Sequence, residues 1–201
     1  MSSSALTHDE PAGHASASPA TAKFGMIMFL SSEAMLFAGL IGGYIVLRLS
    51  QAHWPPFPDS PHLPVLLTGI NTVFLVASSF TYHFAEGAVQ KGKSGLMWLA
   101  VTILLGTIFV GVQCYEWTHL YHEGLWFNKG GVYGSSFFLM TGFHGAHVVI
   151  GVLLIIWVFL RQLLTRCYTP ARHVSLGNVG LYWHFVDGVW IFLFSIVYLW
   201  R

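Results

Sequence analysis

Charged side chains are scarce in this sequence: Asp, Glu, Lys and Arg together make up 8% of 201 residues, about a third of the share found in soluble domains. That scarcity excludes an ordinary soluble fold. Cysteine is nearly missing too. Cys114 and Cys167 are the only two, and the topology derived below sets them on opposite sides of a membrane, so neither a disulfide nor a cysteine metal site is expected. No proline falls between Val65 and Thr169, which argues against the interrupted helices that build substrate sites in many transporters. Nor is there a basic field. Nine Lys and Arg against eight Asp and Glu leave a net charge of +1, so nucleic acid is set aside as a partner.

Apolar residues fill the space instead, at 55% of the chain, with 16% aromatic. They gather in five runs, about residues 24–49, 64–84, 94–117, 131–160 and 177–200, each with roughly the 20 residues needed to cross a hydrocarbon core. Backbone groups in lipid must be paired within their own segment. The expected fold is therefore an all-α membrane protein, a bundle of five transmembrane helices forming one domain over residues 24–201. Residues 1–23, rich in Ser, Ala, Thr, His and Pro, are expected to be a disordered tail with solvated His8 and His14. This tail lacks the basic start of a signal peptide, since its first Lys is Lys23.

Orientation is read from Lys and Arg near the helix ends. Lys23, Lys91, Lys93, Arg161, Arg166 and Arg172 fall on one side, and Arg48, Lys129 and Arg201 on the other. The positive-inside rule then places the amino terminus inside and the carboxyl terminus outside. Trp54, Trp117, Trp126, Tyr133 and Trp200 fall at the proposed outer interface, as an aromatic belt requires. Small residues four apart, Gly39 with Gly43 and Gly142 with Ala146, are expected to let helix backbones approach closely.

Ionisable groups inside the runs are costly and need partners. Asp187 lies about 15 Å along its helix from Gly177, close to the middle of a core about 30 Å thick. Glu33 in the first run, His144 and His147 in the fourth, and His184 and Asp187 in the fifth are expected to form one buried polar layer near the midplane. Residues three apart share a helix face, so each pair can point into the bundle. Two uses compete for the histidines: hydrogen bonds between helices, or ligation of a metal or haem by His144, His147 and His184. Glu33 reads either as a proton-linked carboxylate or as a neutral acid bonded to a neighbouring helix. Gln113 and Glu116, at the end of the third run, are expected to be interfacial hydrogen-bonding groups.

Several blocks, in order, resemble subunit III of the haem-copper cytochrome c oxidases. They are Phe29-Leu30-Ser31-Ser32-Glu33, Trp54-Pro55-Pro56, Gln113-Cys114-Tyr115-Glu116-Trp117, Gly131-Val132-Tyr133-Gly134-Ser135-Ser136-Phe137-Phe138, Thr141-Gly142-Phe143-His144-Gly145-Ala146-His147-Val148 and Tyr182-Trp183-His184-Phe185-Val186-Asp187. The resemblance implies a helical subunit with no catalytic centre, haem, copper or other metal of its own, beside a catalytic subunit that reduces oxygen and pumps protons. It implies oxidase subunits I and II as partners, cytochrome c reached only through the complex, bound phospholipid, and a bacterial cytoplasmic membrane, with a larger respiratory supercomplex as a further partner. It also implies protection of the catalytic subunit from turnover inactivation and sustained proton uptake. By position, Glu33 resembles the family's carbodiimide-reactive carboxylate, and Arg161 and His173 resemble residues that contact lipid headgroups. Ser32-Glu33 and Tyr182-Trp183-His184 look more like the cytochrome c branch, while a quinol oxidase subunit, a nitric oxide reductase accessory subunit and an independent transporter stand as alternatives. The sequence departs from the family in two ways: five runs stand where the long form has seven helices, and Gly188 follows the Asp where the family usually has Val.

Overall fold

The computed structural model describes residues 18–54 and 63–200. Five long helices follow one another: α1 Pro19–Leu49, α2 Val65–Gln90, α3 Leu96–His122, α4 Gly131–Thr165 and α5 Val174–Phe194, the last continuing into a π-helical turn, Ser195–Leu199. All five are long and apolar enough to cross a membrane.

The helices overrun the apolar stretches that foretell them, because backbone hydrogen bonding continues where the side chains turn polar. Thus α1 starts at Pro19, within the stretch expected to be a tail. Ser18 caps it by accepting from the Thr21 N–H at 3.2 Å, and Pro19 takes a first-turn position where its missing N–H costs nothing. The rest of that stretch, residues 1–17, lies outside the described residues. Between α2 and α3 the chain reverses at Gly95, whose φ of +65° is left-handed and whose α-carbon faces the Ala85 carbonyl so closely that a Cβ would stand 2.8 Å from that oxygen.

Helices α2, α3, α4 and α5 close a four-helix ring, each packed on its neighbours, with α5 returning to α2. Trp183 fills the middle. Its ring lies against the bare backbones of Gly106 and Gly151, where a Cβ would approach it to 3.0 Å and 2.7 Å, and Tyr82 uses Gly180 in the same way at 2.7 Å. These are the glycines that admit large side chains. The pairs expected from small-residue spacing are elsewhere: a Cβ at Gly39, Gly43 or Gly142 would meet nothing within 4 Å, and Ala146 is exposed. That expectation is corrected, because the spacing does not say which face turns inward.

Helix α1 stands outside the ring against α4 and α5, with only Phe37 and Tyr44 fully buried. It is fixed at discrete points. Near its end, Tyr44 accepts from the Trp54 indole at 3.1 Å, and the Trp54 ring stands edge-on to both Tyr44 and Tyr133. Arg48 lies 4.3 Å over the Trp200 ring and donates to the Trp200 carbonyl. At the other end Asn178 donates to the Ala22 carbonyl at 3.3 Å. The outward surface carries Met35, Leu66 and Leu164 among many large apolar side chains, as lipid or a neighbouring membrane helix requires.

Candidate functional site

The buried polar groups are organised by α2. Thr68, Asn71, Thr72, Ser78, Ser79, Tyr82 and Glu86 are linked by steps of three, four or seven residues, placing a polar stripe on one face of the helix. Asn71 donates to the Phe109 carbonyl of α3 at 3.1 Å. Tyr82 donates to the Leu176 carbonyl at 2.8 Å. The indoles of Trp183 and Trp190 on α5 donate to Ser78 at 3.0 Å and to Thr72 at 2.9 Å. Sequence reasoning passed over this stripe, although its helical period inside an apolar run is a readable signal.

The expected midplane layer divides into three local arrangements. Between α1 and α4, Glu33 Oε2 lies 2.9 Å from His147 Nε2, while His147 Nδ1 lies 2.7 Å from the Phe143 carbonyl. A carbonyl only accepts, so Nδ1 carries a proton. One further proton then sits between Nε2 and the carboxyl, giving a neutral acid bonded to a neutral ring or an imidazolium bonded to a carboxylate. Tyr182 donates to the His147 carbonyl at 3.0 Å, bringing α5 to the same point.

The second arrangement joins α2 to α5. Ser79 Oγ lies 2.8 Å from His184 Nδ1 and donates to Asp187 Oδ2. Asp187 is 4% exposed, and its Oδ1 has no partner among the described residues. The serine, absent from the expected layer, is what connects the histidine to the acid.

His144 stands apart. Its ring stacks on Trp190 at 4.7 Å, with Phe109 edge-on, and neither ring nitrogen has a hydrogen-bond partner among the described residues. A buried polar group without a partner costs about 1–3 kcal/mol, which an apolar ring of similar shape avoids. His144→Phe should therefore assemble normally and melt at the same temperature as the unaltered complex or higher; a clear fall in melting temperature would show that His144 holds a bond of its own.

A fourth cluster lies toward the other end of the bundle. Glu116, 1% exposed, accepts from Tyr198 at 2.7 Å, from Thr68 at 3.1 Å and from Gln113 at 3.4 Å. The π-helical turn carries Tyr198, and such turns re-aim a side chain that regular helix would direct elsewhere. Gln113 and Glu116, expected at the interface, thus lie inside the packing of α2, α3 and the final turn. Arg161 is exposed, with its guanidinium 5.0 Å over Trp157. His173 precedes the first turn of α5 and lines a cavity of about 450 Å³ with Lys23, Glu86, Asn178 and His184.

No group of three or more His, Cys, Asp or Glu side chains among the described residues is placed to hold a metal. His144, His147 and His184, the set considered for ligation, are directed to Trp190, Glu33 and Ser79 respectively.

The family model for cytochrome c oxidase subunit III matches residues 8–201. The chain belongs to the cytochrome c oxidase subunit III family. Its relatives include cytochrome c oxidase subunit 3 of Synechocystis sp., 39% identical over 98% of this chain and 82% of the relative, and that of Thermostichus vulcanus, 37% identical over 92% and 90%. The Papio hamadryas protein of the same name is also 37% identical, but the alignment spans only 69% of that longer chain. Subunit III is part of an oxidase complex in the respiratory electron-transport chain, so this is a multi-pass membrane protein that assembles with other oxidase subunits.

Proposed function

We propose that this chain is a non-catalytic accessory subunit of a proton-translocating cytochrome c oxidase, free of redox cofactors, which stabilises the catalytic subunit, binds phospholipid and sustains proton uptake. One observation carries the reading: the two buried acids, Asp187 and Glu116, and the half-buried Glu33 each tie separate elements together. Glu33 joins α1 to α4, Asp187 joins α5 to α2, and Glu116 joins α3 to α2 and the π-helical turn. Acids used in this way hold a bundle in register, and the chemistry belongs to the haem- and copper-bearing subunits beside it. The excess of Lys and Arg on one side supports an amino terminus inside a bacterial cytoplasmic membrane. Arg161 and His173 then fall at the inner headgroup level, where a lipid phosphate would meet them.

Removal of this chain tests the proposal. An oxidase purified without it should start at a normal or somewhat reduced rate and then lose activity as turnovers accumulate, whereas the complete complex holds its rate. Equal durability of the two preparations would overturn the protective role. Absence of a haem- and copper-bearing subunit from material captured on a tagged copy of this chain would overturn the partnership.

A further inference from the structure

The connection between His184 and Asp187 has a property that a structural tie does not need. Ser79 Oγ contacts both groups, yet a hydroxyl has a single proton to donate. When it donates to Asp187, it must accept from a proton on His184 Nδ1. When Asp187 is a carboxylic acid, the acid donates to Ser79 and the hydroxyl turns to donate to an unprotonated Nδ1. Both arrangements satisfy the same three side chains without moving a heavy atom, and they differ by the site of one proton.

His184 also borders the cavity at the start of α5, together with Lys23, Glu86 and His173. With Nδ1 engaged by Ser79, Nε2 is the ring position left for exchange with that cavity. Glu86 reaches over α5 at Gly177 and Gly180, where a Cβ would come within 3.2 Å and 3.5 Å of its carboxyl oxygens. Gly177, His184 and Asp187 thus follow each other along α5 from the helix start inward, over about 15 Å.

We propose that His184, Ser79 and Asp187 form a proton wire that loads Asp187 from the cavity at the start of α5, making Asp187 a buried proton store. Loading begins with neutral His184 protonated at Nδ1 and Asp187 ionised. A proton from the cavity binds Nε2, the Nδ1 proton passes to Ser79 Oγ, and the Ser79 proton passes to Asp187 Oδ2. The product is neutral His184 protonated at Nε2, an intact Ser79 hydroxyl and a carboxylic acid at Asp187, with one proton gained overall. The charged and titratable groups facing this wire are Lys23 on α1, Tyr82, His83 and Glu86 on α2, and His173 just ahead of α5. On the α4 side His144 and His147 are engaged with Trp190 and Glu33. Neutralising Asp187 also removes the charge whose second oxygen, Oδ1, has no donor among the described residues. The wire stands on this geometry and does not depend on the protective role proposed above.

Infrared difference spectra of the intact oxidase, recorded between alkaline and acidic buffer and again after transfer to heavy water, test it. A carboxylic C=O band that shifts in heavy water should be present in the unaltered complex and missing in Asp187→Asn. Its hydrogen–deuterium exchange should slow by about tenfold or more in Ser79→Ala, the barrier added by losing one hydrogen-bonded step, and recover in Ser79→Thr, which restores the hydroxyl. His184→Phe should slow it as well. Exchange in Ser79→Ala as fast as in the unaltered protein would overturn the wire, and a band set that is identical in Asp187→Asn would overturn the store.

Discussion

Glu33→Gln should abolish labelling of this chain by a hydrophobic carbodiimide in the intact oxidase. The reagent needs a protonated carboxyl that it can reach from lipid. Glu33 meets the second condition because it lies on α1, outside the ring, with 17% of its side chain exposed. It meets the first through His147. That ring's Nδ1 proton is committed to the Phe143 carbonyl, so when the ring is neutral its Nε2 can only accept, and the proton that the reagent needs is then on the Glu33 carboxyl. Asp187, at 4% exposure, is shielded from the reagent. His147→Phe should keep Glu33 reactive, because it removes the base that could take the proton from the carboxyl. Mass spectrometry of the labelled peptide reads the outcome; modification that persists in Glu33→Gln would move the reactive acid to another residue.

A methyl group at Gly151 should be nearly as damaging as the loss of a core side chain. The Trp183 ring would lie 2.7 Å from the added carbon, and Tyr182 presses on the same spot at 3.3 Å. Trp183 cannot withdraw, being itself fully buried, bonded to Ser78 and held by Gly106 from the opposite helix. Overpacking of a rigid core costs about 1–3 kcal/mol, and here the upper end is expected for Gly151→Ala. Gly142→Ala on the same helix is the control, since its added carbon meets nothing within 4 Å. The comparison is made on the temperature at which the subunit leaves the complex. A lower temperature for Gly151→Ala and no change for Gly142→Ala are the expected results; equal behaviour would mean that Trp183 has room to move.

Hydropathy made the five spans legible because lipid penalises every unpaired backbone group and leaves helix as the solution for a long apolar run. It could not place the ends. Ser18 with Pro19, and the left-handed turn at Gly95, are local capping and turn chemistry that an average over apolar residues does not register. The acids and histidines stood out as candidate site residues because their charge is expensive in a membrane. Their partners did not. Ser79, Thr68 and Tyr198 have hydroxyls that cost little in any one position, and their importance arises only when another helix brings Asp187 or Glu116 against them. For the same reason His144 and His147, three residues apart, share a helix face without sharing an environment: one stacks inside the ring and the other turns to α1.

The position of α1 outside the ring has a consequence for the order in which the protein is made. Apart from the local bond between Tyr44 and Trp54, its fixed points lie far along the chain: Glu33 meets His147 across 114 residues, and Arg48 meets Trp200 across 152. Helices α2 and α3 can close on each other as a hairpin soon after both are inserted, but α1, inserted before them, must wait for α4 and α5 to be synthesised before the helices it packs against exist. Through that interval Glu33 lacks the imidazole that it is bonded to in the finished fold, and the arrival of His147 is the event that ends the wait.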